Sequence, residues 1–165
     1  MQSLLEDDSM ATEPDLWFSF VRAHRLMIRE IERRLAAAGL PVYAWYDALW
    51  GLESGPEGTR RMHELADVLA IERYNLTRLV DRLEKEGLVT RVRSAEDGRA
   101  AFASITPAGR ALRKRMWAIY EATVADLFLA RFDPAQRQAF AEALDQAGQA
   151  ARRAASGEDD SAPTG

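Results

Sequence analysis

Three observations predict a mainly helical fold that carries one small β-ribbon. Apolar residues recur at helical spacing through most of the 165-residue chain. After Gly87 the pattern changes to strand-like alternation around Asp97-Gly98, a hairpin turn pair. Two short helical segments with a few-residue connection come directly before that ribbon. Two such helices followed by a ribbon make a winged helix-turn-helix. Long apolar helices lie on either side of it in sequence. The expected class is therefore mainly α with a small β-wing, a winged helix-turn-helix flanked by long dimerisation helices.

The elements follow in order. Residues 1–12 hold few large apolar groups and are expected to be disordered. Thr12 and Pro14 read as a helix start, with Glu13 and Asp15 in the first turn. Trp17, Phe20, Val21, His24, Met27, Ile28, Ile31 and Leu35 then give a long helix running to Gly39. Its apolar stripe is broad enough to need a partner surface, in this chain or in another copy. Pro41 opens a second helix carrying Val42, Trp45, Tyr46, Leu49, Trp50 and Leu52, with Asp47 among the aromatics. Gly51 to Gly58 reads as a loop, with three glycines and Pro56. Met62, Leu65, Ala66 and Leu69 form a short helix, and Ala70 to Glu72 the tight connection to the next.

That next helix carries Leu76, Leu79, Val80 and Leu83 at i, i+3, i+4 and i+7, with Gly87 as its end. Leu88 to Arg93 and Arg99 to Ile105 are the two ribbon strands, with arginines at base and tip. A hairpin of this size is marginal alone and must lean on the helices. Thr106-Pro107 caps a helix of over twenty residues, very basic at first (Arg110, Arg113, Lys114, Arg115). Asp133-Pro134 starts the last helix, and the acidic tail at 154–165 is expected to be disordered. The resulting division is a domain at 13–153, with a DNA-binding lobe at 60–106 and dimerisation helices at 13–39 and 107–153.

Composition narrows the chemistry. The chain has no cysteine, which removes disulfides, thiolate metal sites and thiol redox sensing. Its two histidines, His24 and His63, fall in different predicted helices without metal-ligand spacing. No GxSxG, GxxxxGK[ST] or HExxH occurs, so no enzyme, catalytic residue, metal or cofactor is expected. With no apolar run long enough for a membrane span and an acidic N-terminus unlike a secretory signal, the expected location is the cytoplasm. The net charge is −4, but it is unevenly spread. Residues 60–115 hold 13 basic and 8 acidic side chains, whereas the remainder holds 9 and 18. A positive middle can meet phosphates despite acidic flanks.

The helix after Glu72 carries the chemistry. Tyr74, Arg78, Asp81 and Lys85 lie opposite the leucine stripe, with Arg82 beside them and Asn75 and Thr77 at the flanks. Arginine can donate two hydrogen bonds to guanine, asparagine pairs bidentately with adenine, and threonine reaches phosphate. The same pattern also describes an ordinary solvated helix face.

The stretch LTRLVDRLEKEGLV at Leu76–Val89, the wing Asp97-Gly98-Arg99 and ITPAGRAL at Ile105–Leu112 together resemble the MarR-type (multiple antibiotic resistance regulator) transcription factors. The resemblance covers roughly residues 14–150. It implies a homodimeric regulator of double-stranded DNA whose helix from Arg73 to Glu86 enters the major groove. Arg73, Tyr74, Asn75, Thr77, Arg78 and Arg82 would then face DNA. Arg93, Asp97 and Arg99 would serve the wing, with Arg99 in the minor groove and Asp97 orienting an arginine. Two departures are Glu72, where relatives often carry Ser or Thr, and His63, where Ser is frequent. Trp17, Asp47 and Arg78 resemble the ligand set of a branch answering urate or similar aromatic anions, since an indole stacks on a flat ligand and an arginine pairs with its charge. Equally, Trp17 and Trp45 fit a core stripe, Asp47 an internal cap or pair, and Arg78 a DNA contact alone. The expected function is a repressor that binds a palindromic site as a homodimer and is released by a small aromatic or anionic ligand. The alternative is a winged-helix protein-interaction module without sequence-specific DNA binding.

Overall fold

The computed structural model describes residues 15–93 and 100–157. They form six helices and three strands: α1 (Leu16–Ala37), α2 (Tyr43–Glu53), β1 (Thr59–Arg61), α3 (Met62–Leu69), α4 (Arg73–Lys85), β2 (Val89–Arg93), β3 (Ala100–Ile105), α5 (Pro107–Leu127) and α6 (Pro134–Ser156). The chain divides into two compact units, one reaching Thr123 and the other beginning at Val124. The predicted mainly α class with a small β-wing is what forms. The expected disorder at 1–12 and 158–165 and the turn at Asp97-Gly98 lie outside the described residues; residues 154–156, expected in the disordered tail, instead continue α6, which ends at a left-handed Gly157.

The first helix starts later than Thr12 and Pro14 imply. Asp15 lies before it, in extended geometry, and its carboxylate accepts the Phe18 N–H at 3.0 Å. A carboxylate in the cap position satisfies an orphan donor of the first turn, which is why Asp15 caps the helix and does not lie within it. α1 ends at Ala37, where Gly39 turns left-handed and the Leu40 N–H reaches back to the Leu35 carbonyl at 2.9 Å. Only Ile31 and Leu35 of α1 are buried. Leu16, Trp17, Phe18 and Leu26 all stay more than half exposed, so Trp17 is not part of this chain's core.

The glycine-rich loop expected from Gly51 begins only at Ser54. α2 runs on through Gly51 because that position faces α3, where a Cβ would come within 2.7 Å of Leu65 Cδ1. Close helix packing, not backbone freedom, puts a glycine there. The ribbon also gains a third strand. β1 pairs with β3, and Thr59 and Ser104 join their hydroxyls at 2.6 Å, giving an antiparallel sheet of order β1-β3-β2.

The core lies where α2, α3, α4 and the sheet meet. Leu49, Leu52, Leu65, Leu76, Val80, Leu83, Val89 and Ala103 are all buried in one cluster. Each large aliphatic group so buried contributes about 1.5–3 kcal/mol. α3 and α4 meet at Ala70, which holds φ 53° although it is not glycine, while the Ile71 N–H closes on the Ala66 carbonyl at 3.1 Å. At the far end of α4, Gly87 is left-handed and Leu88 N–H bonds the Leu83 carbonyl at 2.9 Å.

α5 is stitched to that end. The Thr106 N–H donates to the Leu88 carbonyl at 3.1 Å, and its hydroxyl donates to the Gly87 carbonyl at 2.7 Å and accepts from the Gly109 N–H at 3.1 Å. Gly109 lies directly over the Leu88 carbonyl, and a Cβ there would press into that oxygen and come within 2.8 Å of Ile105. Farther along, Glu53 at the end of α2 pairs with Arg113 and with Arg110 at 3.2 Å. In the second unit, Asp133 and Gln136 cap α6 reciprocally at 2.9 Å, and Phe132 packs between Phe128 and Phe140. No residue of α6 is buried. Among the described residues no helix is long and apolar enough to cross a membrane.

Gly109→Ala is expected to cost about 1–3 kcal/mol, because backbone cannot retreat from the added methyl as a flexible side chain would; chemical denaturation measures it. Ala70→Gly is expected to raise stability by about 0.5–1 kcal/mol in the same assay, the relief of the left-handed backbone exceeding the entropy of the added freedom.

Candidate nucleic-acid interface

The buried stripe of α4 decides what its other side presents. With Leu76, Val80 and Leu83 held in the core, Arg73, Tyr74, Asn75, Thr77, Arg78 and Arg82 are all exposed. These six predicted residues therefore come together on one helix. Tyr74 is 71% exposed, and the Arg78 guanidinium stands over its ring at 5.7 Å from the centroid. The Thr77 hydroxyl donates to the Arg73 carbonyl at 3.0 Å, so as placed it bonds its own helix. Glu72 occupies the cap position with extended geometry, but its side chain makes no cap bond. The first-turn N–H groups of α4 thus gain no hydrogen bond from the Glu72 side chain.

The wing leans on this helix. β2 packs against α4, and Arg93 lies at its end, exposed and opposite Ala100. Pairing shifts register between Val92 and Arg93. Asp97 and Arg99, the predicted wing-tip residues, lie outside the described residues. The sequence treats Arg91 only as an arginine at the wing's base, but it is tied down. Its guanidinium pairs with Asp81 and, at 3.1 Å, with Glu84, and its N–H donates to the other Glu84 oxygen at 3.0 Å.

The three residues of the expected ligand set are not joined. Trp17 contacts Phe20, with ring centroids 6.2 Å apart, and Arg78 contacts Tyr74. Asp47 is half-buried, and burial holds its carboxyl above the usual carboxylate range. Among the described residues no hydrogen bond, ion pair or ring contact links Trp17, Asp47 and Arg78.

An aromatic cluster that sequence reasoning missed lies beside Asp47. Tyr46 stacks on Trp117 at 6.0 Å and meets Tyr120 at 4.9 Å, and Tyr43 meets Tyr120 at 5.4 Å. Burial, and then the charge of Asp47, push the Tyr43 hydroxyl upward. Burial also raises Tyr46, against the lowering effect of the Arg113 charge. The available signal was the spacing of Trp117 and Tyr120, one turn apart on α5 and matching that of Tyr43 and Tyr46 on α2. Among the described residues, no three acids or histidines are grouped to hold a metal ion.

Residues 38–100 match the family model described as MarR family. The organic hydroperoxide resistance transcriptional regulator of Bacillus subtilis is 29% identical over 110 residues, 66% of this chain and 71% of that protein. Other curated relatives are matched over 59% and 57% of their length, so the chain spans less than two thirds of them. A MarR family regulator of Streptomyces coelicolor, solved in complex with DNA, superposes with a TM-score of 0.75 at 28% identity, covering 82% of this chain and 88% of that one. A MarR family protein of Mycobacterium tuberculosis in complex with salicylic acid gives a TM-score of 0.60 at 28% identity, covering 82% of this chain and 98% of that one. The Bacillus subtilis relative and the Streptomyces coelicolor protein are both described as transcriptional regulators. Fold and element order are similar to those of MarR family winged-helix transcriptional regulators, and the family's pattern is matched over residues 38–100.

Proposed function

We propose that this chain is a repressor that binds a palindromic promoter site as a homodimer and is released by a small aromatic acid. The observation that carries the DNA reading is the outward face of α4: Arg, Tyr and Asn side chains exposed on a helix whose other side is locked in the core. Such a helix fits the major groove, where Arg78 is suited to guanine and Asn75 to adenine. Arg73, Tyr74, Thr77 and Arg82 would contact backbone or bases beside them, and Arg93, Asp97 and Arg99 would serve the wing. A relative of the same fold that was solved with DNA supports this reading. Repression needs only occupancy of a promoter, and such a regulator works in the cytoplasm.

The homodimer reading rests on α1 and α6. The N-terminal half of α1 leaves Leu16, Trp17 and Phe18 exposed, and α6 buries none of its apolar residues. Apolar stripes of this extent on two long helices suit a second copy, with 60–106 as the DNA-binding lobe and 13–39 and 107–153 as dimerisation helices. Two reading helices would then lie about one helical turn of DNA apart.

The effector reading draws on the salicylate complex of a relative and on the ring cluster of Tyr43, Tyr46, Trp117 and Tyr120 beside Asp47. Trp17 and Arg78 would join Asp47 around a flat anion, the indole by stacking and the guanidinium by charge. With no cysteine, the chain has no thiol with which to answer a hydroperoxide.

Fluorescence anisotropy on the DNA flanking the chain's own gene tests the first reading. Binding is expected at sub-micromolar concentration and to weaken steeply with salt. Arg78→Ala is expected to cost about 1–3 kcal/mol of it. Binding no tighter than to scrambled duplex would leave the winged helix as a protein-interaction module. Salicylate is expected to quench the tryptophan fluorescence and to release the duplex, with weaker quenching in Arg78→Ala; unchanged salicylate affinity in that variant would remove Arg78 from the ligand set.

A further inference from the structure

Two of the acids on α4, Asp81 and Glu84, create a problem that the fold itself answers. By spacing, Asp81 shares the helix face of Tyr74, Arg78 and Lys85, and Glu84 lies one turn farther on. Both keep over two fifths of their side-chain surface exposed. Two carboxylates at the edge of a phosphate-binding face repel the ligand that the arginines attract. Arg91 meets both. Its guanidinium is the more buried partner, at 21% exposure, and reaches Asp81 and Glu84 with the same Nη2 nitrogen.

Glu84 does a second thing. β2 is an edge strand, paired only with β3, so its outward N–H groups have no strand partner. The Arg91 N–H is one of these, and a Glu84 oxygen accepts it at 3.0 Å. The carboxylate thus ends the free edge of β2 and pins the strand to α4. The register shift at Val92/Arg93 comes directly after this anchor, so the strand changes course where the tie ends.

We propose that Arg91 is a positioning residue for DNA binding: it ties the root of the wing to α4 and cancels the two carboxylates of the reading face. The inference rests on the DNA-binding reading above, but goes beyond it in giving Arg91 a role without contact to DNA. An arginine suits the place because Nη2 carries two N–H donors, one for each acid, and the guanidinium is weakly hydrated and stays charged when partly buried.

The test is a cycle on the full chain, with affinity for the flanking duplex measured by anisotropy and folding by thermal melting. Arg91→Ala is expected to weaken binding about tenfold in the wild-type background. In the Asp81→Asn/Glu84→Gln background the same change is expected to alter affinity less than about twofold, because the charges it shields are gone. Arg91→Lys is expected to recover part of the loss. An equal loss in both backgrounds would make Arg91 a direct phosphate contact and overturn the proposal, as would an Arg91→Ala protein that binds like wild type. If Arg91→Ala does not fold, Arg91→Gln takes its place in both backgrounds. A second readout needs no DNA: the residue 91 amide is expected to exchange its hydrogen faster in Arg91→Ala, at unchanged melting temperature, and unchanged exchange would overturn the tie. Wild-type protein that ignores the duplex, with amide exchange behaving as expected, would fail the DNA-binding reading and leave the tie standing.

Discussion

The junction at the end of α4 is the constraint on which the rest of this unit depends. Four elements meet within a few residues: α4 ends at a left-handed Gly87, β2 begins at Val89, β3 ends at Ile105 and α5 starts at Pro107. Thr106 ties them through three hydrogen bonds, to the carbonyls of Gly87 and Leu88 and from the N–H of Gly109. Gly109 lets α5 lie directly against the Leu88 backbone. A fixed exit angle for α4 fixes the direction of β2, and so the relation between helix and wing. The same junction brings the first turns of α5, with Arg110 and Arg113, within reach of Glu53 at the end of α2.

Much of this architecture was legible in the sequence, for reasons that differ between elements. The leucine stripe of α4 is periodic and long enough to define both a buried and an exposed face, and the structure buries Leu76, Val80 and Leu83 accordingly. Thr106-Pro107 and Asp133-Pro134 are local cap signals, and both helices start there. Features set by tertiary contact were not legible. Gly51 looks like a loop residue until α3 is packed on it, and Thr59–Arg61 is too short to show alternation before β3 is beside it. Asp15 resembles a first-turn acid but acts as the cap.

The candidate site divides in the same way. Residues on one helix face could be grouped from spacing alone, and six of them are exposed together on α4. Contacts across elements were not legible from spacing. Tyr43, Tyr46, Trp117 and Tyr120 meet with no sequence motif to announce them. Arg91 gave no sign of its partners, because the contact depends on β2 folding back along α4 after the turn at Gly87. Counting charges along the chain found the positive middle segment but not which of its acids are already neutralised.

The third strand has a mechanical consequence. β3 is the middle strand, with β2 on one side and β1 on the other, and β1 runs into α3 with no intervening residue. The wing is therefore one arm of a lever whose fulcrum is β3 and whose other arm is the first helix of the helix-turn-helix. A twist imposed on the wing passes through the ladder between β3 and β1 and turns the start of α3. A load on either arm is felt by the other, so the two parts cannot respond independently.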